Sequence, residues 1–263
     1  AQAGRITVFD GARILDGNGG APIENGRLVV QDGRVTAVGA SSAVSIPAGA
    51  ARVDVTGKTI MPAMINVHAH MGYEAYTTWG ARNHTAANLL DHLQREAFYG
   101  VVAATSVGSS PTEMSLQFQR DQQAGKFPPA ARYLFMPGMA PPNGGPDHIL
   151  REATNELHVI NEVSTPEEAR AAIRKMADQG IRHVKMWVDD RGGTYPKLTP
   201  EVYNAIVQEA HARKMTVHAH AIQLADQKAV VAAGADVLVH MVQNTPIDQE
   251  YLALLAQKRP YWA

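Results

Sequence analysis

Cysteine is absent from this 263-residue chain, and that one absence removes disulfides, thiolate metal sites and a cysteine nucleophile together. Any metal must rest on nitrogen and oxygen donors. An excess of either charge is missing too: 24 Lys and Arg stand against 25 Asp and Glu, a formal net charge of -1. That balance leaves no electrostatic footprint for nucleic acid or an anionic membrane surface, so neither is expected as a partner. No apolar run approaches the roughly 20 residues that span a bilayer, and a soluble protein is expected. The chain opens Ala1-Gln2-Ala3 without a Met. A-x-A is the small-residue pattern of a secretory cleavage site, which makes a periplasmic or secreted location the first expectation and a cytoplasmic one the alternative.

What is present is a 45% apolar composition, enough for an ordinary globular core in one or two domains. Up to Met61 the sequence shows short β-rich runs (Ile6-Thr7-Val8-Phe9, Arg13-Ile14-Leu15, Arg27-Leu28-Val29-Val30, Arg34-Val35-Thr36-Ala37-Val38). Asp32-Gly33 lies between the last two, a dipeptide that supplies positive φ for a tight hairpin. Residues 1–61 are therefore a small β-domain, expected to pack on the remainder of the chain. From 62 to 263 apolar strands alternate with capped amphipathic helices, the pattern of βα units and a parallel sheet. Strands are expected at 64–70, 101–107, 132–137, 181–188, 215–221 and 237–241. Thr165-Pro166-Glu167-Glu168 is a capping box with Pro at N1, Gly180 stops that helix, Thr199-Pro200-Glu201 opens the next, and Gly234 closes the one after. A closed eight-stranded α/β barrel takes about 250 residues, more than remain after Met61. Pro260-Tyr261-Trp262-Ala263 has the character of a seventh strand at its start.

Side chains alternate across a strand, so each segment sorts into two faces. Asn66, His68 and His70 oppose Ile65, Val67, Ala69 and Met71. His183, Lys185 and Trp187 oppose Val184, Met186 and Val188. His218 and His220 oppose Val217, Ala219 and Ala221, and Leu238 and His240 oppose Val237, Val239 and Met241. The helix-facing side of a parallel barrel must be apolar, so the polar sets point inward and meet where the strands end. Any one of these histidines alone is most simply a hydrogen-bonded core residue. Five convergent positions, His68, His70, Lys185, His218 and His240, instead indicate a metal site, because gathered imidazoles are costly to bury unless a cation organises them as neutral ligands.

These residues carry a resemblance to the metal-dependent amidohydrolase superfamily, in the branch of imidazolonepropionase-like enzymes and Xaa-Pro dipeptidases. It covers the whole chain: "GARILDGNGGAPIENGRLVVQDGRVTAVG" resembles the N-terminal β-domain of that family, "GKTIMPAMINVHAH" its first barrel strand, "HVKMWVDD" the fourth, "MTVHAHA" the fifth and "ADVLVHM" the sixth. The resemblance implies a TIM-type (β/α)8 barrel, here reaching strand six or the start of seven, with a small N-terminal β-sandwich. It implies two divalent ions, zinc first among them, with His68 and His70 on the more buried one. It further implies that Lys185 carries a carbon dioxide-derived carbamate bridging the two, and that His218 and His240 bind the second. His220 matches a substrate-contacting position, and His148, Trp187 and Tyr73 are further substrate-side candidates. A lysine must be neutral to take up carbon dioxide, which burial among cations favours.

The chain also departs from the family pattern. Ala63 stands for the usual Gly and Asn66 for the usual Asp, and neither position is a ligand. The Asp of the eighth strand, which binds metal and shuttles the proton, has no counterpart here, nor does the C-terminal segment that completes the small β-domain. Asp189 and Asp190 are expected as solvated loop residues ahead of the Arg191-Gly192-Gly193 turn. Residues 140–163 are expected as a long loop or lid over the barrel mouth, in which His148 is either a substrate contact or an exposed histidine. The implied activity is metal-dependent hydrolysis of an amide-type C–N bond in a small-molecule amide or peptide. The alternatives are a catalytically incomplete chain that needs a complementing C-terminal segment or second polypeptide, and a non-catalytic metal-binding protein. Unpaired barrel edges also make a homo-oligomer an expectation.

Overall fold

The computed structural model describes residues 5–263, so the Ala1-Gln2-Ala3 pattern lies outside the described residues. The chain divides into two compact units, the first ending at Ala63 and the second running Met64–Ala263. No helix among the described residues is long and apolar enough to cross a membrane.

The first unit contains β1 (Ile6–Ile14), β2 (Ile23–Gln31), β3 (Arg34–Ala40), β4 (Ala51–Asp54) and β5 (Thr59–Ile60). They form one sheet of order β3-β2-β1-β4, with β5 also pairing β1. β2 and β3 form the expected hairpin: Asp32 and Gly33 have φ of 51° and 76°, the twist such a two-residue turn requires. Among the described residues these strands make a single sheet. Val8, Ala12, Ile14 and Val29 form its buried side.

The second unit follows the βα grammar with β6 (Met64–Ala69), β7 (Glu74–Ala75), β8 (Thr78–Trp79), α1 (Ala86–Phe98), β9 (Val101–Val107), α2 (Thr112–Gln123), β10 (Arg132–Met136), β11 (Gly138–Ala140), α3 (His148–Glu156), β12 (Ile160–Glu162), α4 (Pro166–Asp178), β13 (His183–Trp187), α5 (Pro200–Ala212), β14 (Thr216–His220), α6 (Leu224–Ala233), β15 (Val237–Val239), α7 (Gln249–Lys258) and β16 (Tyr261–Trp262). The Thr165 capping box forms as expected and Gly234 closes α6 at φ 103°. β10-β9-β6 pair as one sheet and β12-β11-β13-β14-β15-β16 as another, and all of these pairings are parallel. β10 and β11 are one strand interrupted at Pro137, so the two sheets run into each other through it. Pro137 still contributes its carbonyl, which accepts from Lys185 N at 2.9 Å. The incipient seventh strand is β16, paired with β15.

Helices α1, α4, α5 and α6 bury Leu89, Leu93, Ile173, Met176, Ile206 and Val230 against the outward face of the sheet, where Val184, Met186, Val217 and Ala219 meet them. Alternation holds in β13 and β14 and fails in two other strands. In β15, Leu238 lies opposite Ala219 and belongs to the helix-side core, while Val237 and Val239 pair with His218 and His220. The expected faces of that strand are therefore exchanged. In β6 the register shifts between Asn66 and Ala69, and Asn66 Nδ2 donates to Glu96 Oε1 of α1 at 2.8 Å instead of sharing a face with His68. A bulge of this kind reverses alternation locally. Ile65 and Val67 are 57% and 46% exposed where burial was expected. The segment 140–163 is likewise not a plain loop, since it holds α3 and β12.

Candidate metal centre

Lys185 and His218 stand in register on neighbouring strands, as do Trp187 and His220. One residue beyond β15, His240 takes φ 85°, a left-handed conformation that costs a non-glycine residue about 1–3 kcal/mol. This turn brings its ring to the cluster although the strand before it has the opposite parity. Ring centroids of His68 and His70 are 5.3 Å apart, those of His68 and His240 4.9 Å, and those of His220 and His240 4.7 Å. The His218 ring lies 5.9 Å from that of His183. His70, Lys185, Trp187, Arg191, His220 and His240 line a cavity of about 270 Å³ together with Asp147, and His70 also borders a second of about 420 Å³ with Glu74, Trp79 and His92.

The electrostatics favour neutral bases. Burial first, and then the charge of Lys185, lower His68 and His70 to about 3. His218 falls to about 4 through burial and the neighbouring His183, and His240 to about 4 through burial and Lys185. His220 is driven further down by burial, then by Lys185 and Arg191. Lys185 is 1% exposed, and burial followed by Arg191 lowers it to about 7. Its Nζ lies 5.3 Å from the Trp187 ring centroid. At neutral pH these imidazoles present lone pairs, the form in which histidine binds metal.

Two divalent ions are what the resemblance implies, and the donor set meets them in type and protonation state. His68 Nε2 and His218 Nδ1 are buried with no hydrogen-bond partner, which is costly for a polar atom unless something else occupies it. No three His, Asp or Glu side chains among the described residues are gathered closely enough to hold one ion. The converging set depends on Lys185, whose nitrogen becomes a donor only on losing its proton.

The other expected positions divide. Trp187 and His220 face the cavity. His148 is exposed at the start of α3 and lines neither cavity. Tyr73 is fully buried and its hydroxyl donates to Ser109 O. Asp189, expected in solvent, is 1% exposed. Its carboxylate pairs with Arg191 and lies 2.9 Å from His220 Nε2, while Arg191 Nε donates to Asp147 Oδ2 at 3.0 Å. His220 Nε2 lies 2.9 Å from both Arg191 Nη1 and Asp189 Oδ2: it donates to the carboxylate in the tautomer protonated there and accepts from the guanidinium in the other. Asp190 is half-buried and holds the following turn through Gly192 N and Lys197. Sequence reasoning missed Arg191, Asp147 and the serines that follow β9; none lies in a pattern that announces burial.

No protein-family model matches the chain. Over 64 residues, 24% of this chain and 15% of the relative, it is 36% identical to a 5-methylthioadenosine/S-adenosylhomocysteine deaminase of Symbiobacterium thermophilum. Among solved structures it superposes on a Xaa-Pro dipeptidase with methionine bound in its active site, with a TM-score of 0.80 at 20% identity over 98% of this chain. A prolidase complexed with N-methylphosphonate-L-proline gives 0.78 at 21% identity, also over 98%. The chain spans 66% and 65% of the length of those two proteins. At such identities the likeness is one of fold alone, shared with the dipeptidase, the prolidase and a further solved protein described as an amidohydrolase.

Proposed function

We propose that this chain contributes the metal-binding part of a hydrolase that cleaves an amide-type C–N bond in a small substrate such as a dipeptide or N-acyl amino acid. The observation that carries the reading is the convergence of His70, His220, His240 and buried Lys185 at one cavity, with the His68 ring packed against those of His70 and His240 and orphaned imidazole nitrogens on His68 and His218. His68, His70, Lys185, His218 and His240 would hold two divalent ions, zinc first among them, with Lys185 as a carbamate. Such ions, when bound, supply Lewis-acid polarisation and water activation at neutral pH.

The remaining roles fall to the chain's own side chains. His220, neutral and tethered to Arg191, is placed to donate or accept a hydrogen bond with a substrate polar group. Arg191 presents a guanidinium clamped by Asp147 and Asp189, with hydrogen bonds through Nε and Nη1 to those groups and His220. Trp187 walls the cavity over Lys185 and limits the width of an acyl group. The dipeptidase and prolidase among the solved neighbours favour amino-acid amides as the substrate class.

The test is metal analysis of purified protein, followed by hydrolysis of a dipeptide and N-acyl amino acid panel with added zinc, cobalt or manganese. Near-stoichiometric metal and metal-dependent turnover are expected. Absence of both in protein whose fold is verified by circular dichroism would overturn the reading.

A second reading is favoured by the open sheet. Among the described residues β6 pairs only with β9 and β16 only with β15, and Ile65, Val67, Tyr261 and Trp262 are exposed there. On this reading the site reaches full activity only when a further segment or a second polypeptide covers those edges, completes the partial barrel and supplies an acidic proton shuttle. Metal binding without turnover in the isolated chain distinguishes this from the first reading.

A further inference from the structure

The end of β9 carries three buried serines, Ser106, Ser109 and Ser110, in a turn that the hydrolytic reading does not use. The turn is rigidly placed. Gly108, at φ 76°, donates its N–H to Met136 O at 2.8 Å, and a Cβ there would stand 2.4 Å from Trp187 Cη2. Ser106 Oγ bonds Ser110 Oγ at 2.7 Å and accepts from Met71 N at 3.3 Å, so the residue after His70 is fixed as well. Ser109 Oγ lies 2.8 Å from His70 Nδ1. On the far side of the same residue, Tyr73 OH donates to the Ser109 carbonyl.

We propose that Ser109 is a positioning residue for His70: its Oγ accepts the Nδ1 proton, which fixes the ring and leaves Nε2 as the free donor toward a divalent cation. Tyr73, from the loop that follows β6, holds the Ser109 backbone and so couples that loop to the metal ligand. The inference rests on the reading of His70 as a ligand. A neutral imidazole has one protonated nitrogen, and a neighbouring acceptor decides which it is. Metal-bound histidines are held in this way by a partner on the other ring nitrogen. A serine is a mild partner compared with a carboxylate. Its hydroxyl can donate as well as accept, so the tautomer follows from Oγ acting as the acceptor, and it adds no negative charge beside the cluster.

The test uses histidine labelled with ¹⁵N and long-range ¹H–¹⁵N correlation in the metal-free protein, together with zinc affinity by chelator competition. Wild type is expected to show His70 protonated at Nδ1. Ser109→Ala is expected to shift His70 toward the Nε2–H tautomer and to weaken zinc binding about 10- to 100-fold. Ser109→Thr, which keeps the hydroxyl, restores both. Ser109→Cys preserves volume with a weaker acceptor and gives an intermediate tautomer ratio, so the question is decided even if the alanine variant does not fold. Tyr73→Phe is expected to weaken zinc binding less than Ser109→Ala while Nδ1 stays protonated. Wild type found with the proton on Nε2, or Ser109→Ala with unchanged tautomer and affinity, overturns the proposal. If wild type takes up no divalent ion the hydrolase reading falls separately, and the tautomer measurement still decides whether Ser109 positions His70.

Discussion

Gln227 donates its side-chain amide to the carbonyl oxygen of His240 at 3.1 Å, across from α6 to the residue that follows β15. Trp262 Nε1 donates to the same oxygen at 3.2 Å, and Tyr251 OH donates to Gln227 Oε1. His240 is held at φ 85°, and such a conformation persists only where its surroundings over-determine it. Gln227→Leu keeps the volume but strands the buried Tyr251 hydroxyl and removes one of two bonds to the strained carbonyl. We expect a stability loss of about 1–3 kcal/mol in urea unfolding, with weaker zinc binding from a relaxed His240. Unchanged stability and affinity would show that Trp262 alone maintains the turn.

The same residue marks where the sequence could be read and where it could not. In β13 and β14 the apolar set faces helices throughout and no residue is inserted, so two-residue alternation alone placed Lys185, Trp187, His218 and His220 inward. His240 was expected on the correct side for a reason the structure does not bear out: β15 has the opposite parity, and a backbone turn restores the ring. Asn66 was misplaced because a register shift in β6 lies between it and the histidines. Asp189 looked like a loop acid because its partners, Arg191 and His220, are brought to it by a turn and a neighbouring strand. Proline and glycine in 141–146 hid the short helix α3 that begins immediately after them.

Gly138 makes a purely steric contribution to the site. Its backbone is not in the left-handed region, yet a Cβ there would lie 2.4 Å from Trp187 Cζ3 and 2.4 Å from Gly108 O. Gly138→Ala must therefore displace the indole that roofs Lys185. Overpacking of this kind costs about 1–3 kcal/mol, and the movement is expected to change tryptophan fluorescence and lower activity together. The double variant with Trp187→Phe is expected to regain part of the stability, since the smaller ring leaves room for the methyl. Strictly additive losses in the double variant would rule out the contact as the cause.

The Asp189 and Arg191 pair predicts an asymmetry between single and double substitutions. Asp189 accepts from Arg191 N at 2.9 Å and pairs with its guanidinium while almost wholly buried. Arg191→Met strands the carboxylate, a change that costs about 3–5 kcal/mol for a buried pair. Asp189→Asn leaves Arg191 its bond to Asp147 and is expected to cost less. Adding Asp189→Asn to Arg191→Met should recover most of the lost stability, because no buried unpaired charge remains and Asp147, which also loses Arg191, is open to solvent. Guanidinium unfolding of the three variants measures this, and a double variant no better than Arg191→Met would refute the account.

His84 supplies a pH dependence that can be isolated from the metal cluster. It is buried edge-on against Tyr73 with ring centroids 4.9 Å apart, and neither ring nitrogen has a hydrogen-bond partner. Burial is the largest influence on it and lowers it from an ordinary 6.5 to about 4. In the unfolded chain His84 takes up a proton as pH falls through 6.5, whereas in the fold it stays neutral until about 4. Stability is therefore greatest above 6.5 and declines between those values, by up to about 1.4 kcal/mol per pH unit for one group, before levelling off. The lowered histidines of the cluster slope the same way, so the informative quantity is the difference between wild type and His84→Phe. That variant keeps an aromatic ring against Tyr73 and removes the titration. Urea unfolding at pH 7.5, 6 and 5 is expected to show wild type losing stability faster than the variant. Parallel declines would mean that His84 finds a partner for its proton inside the fold.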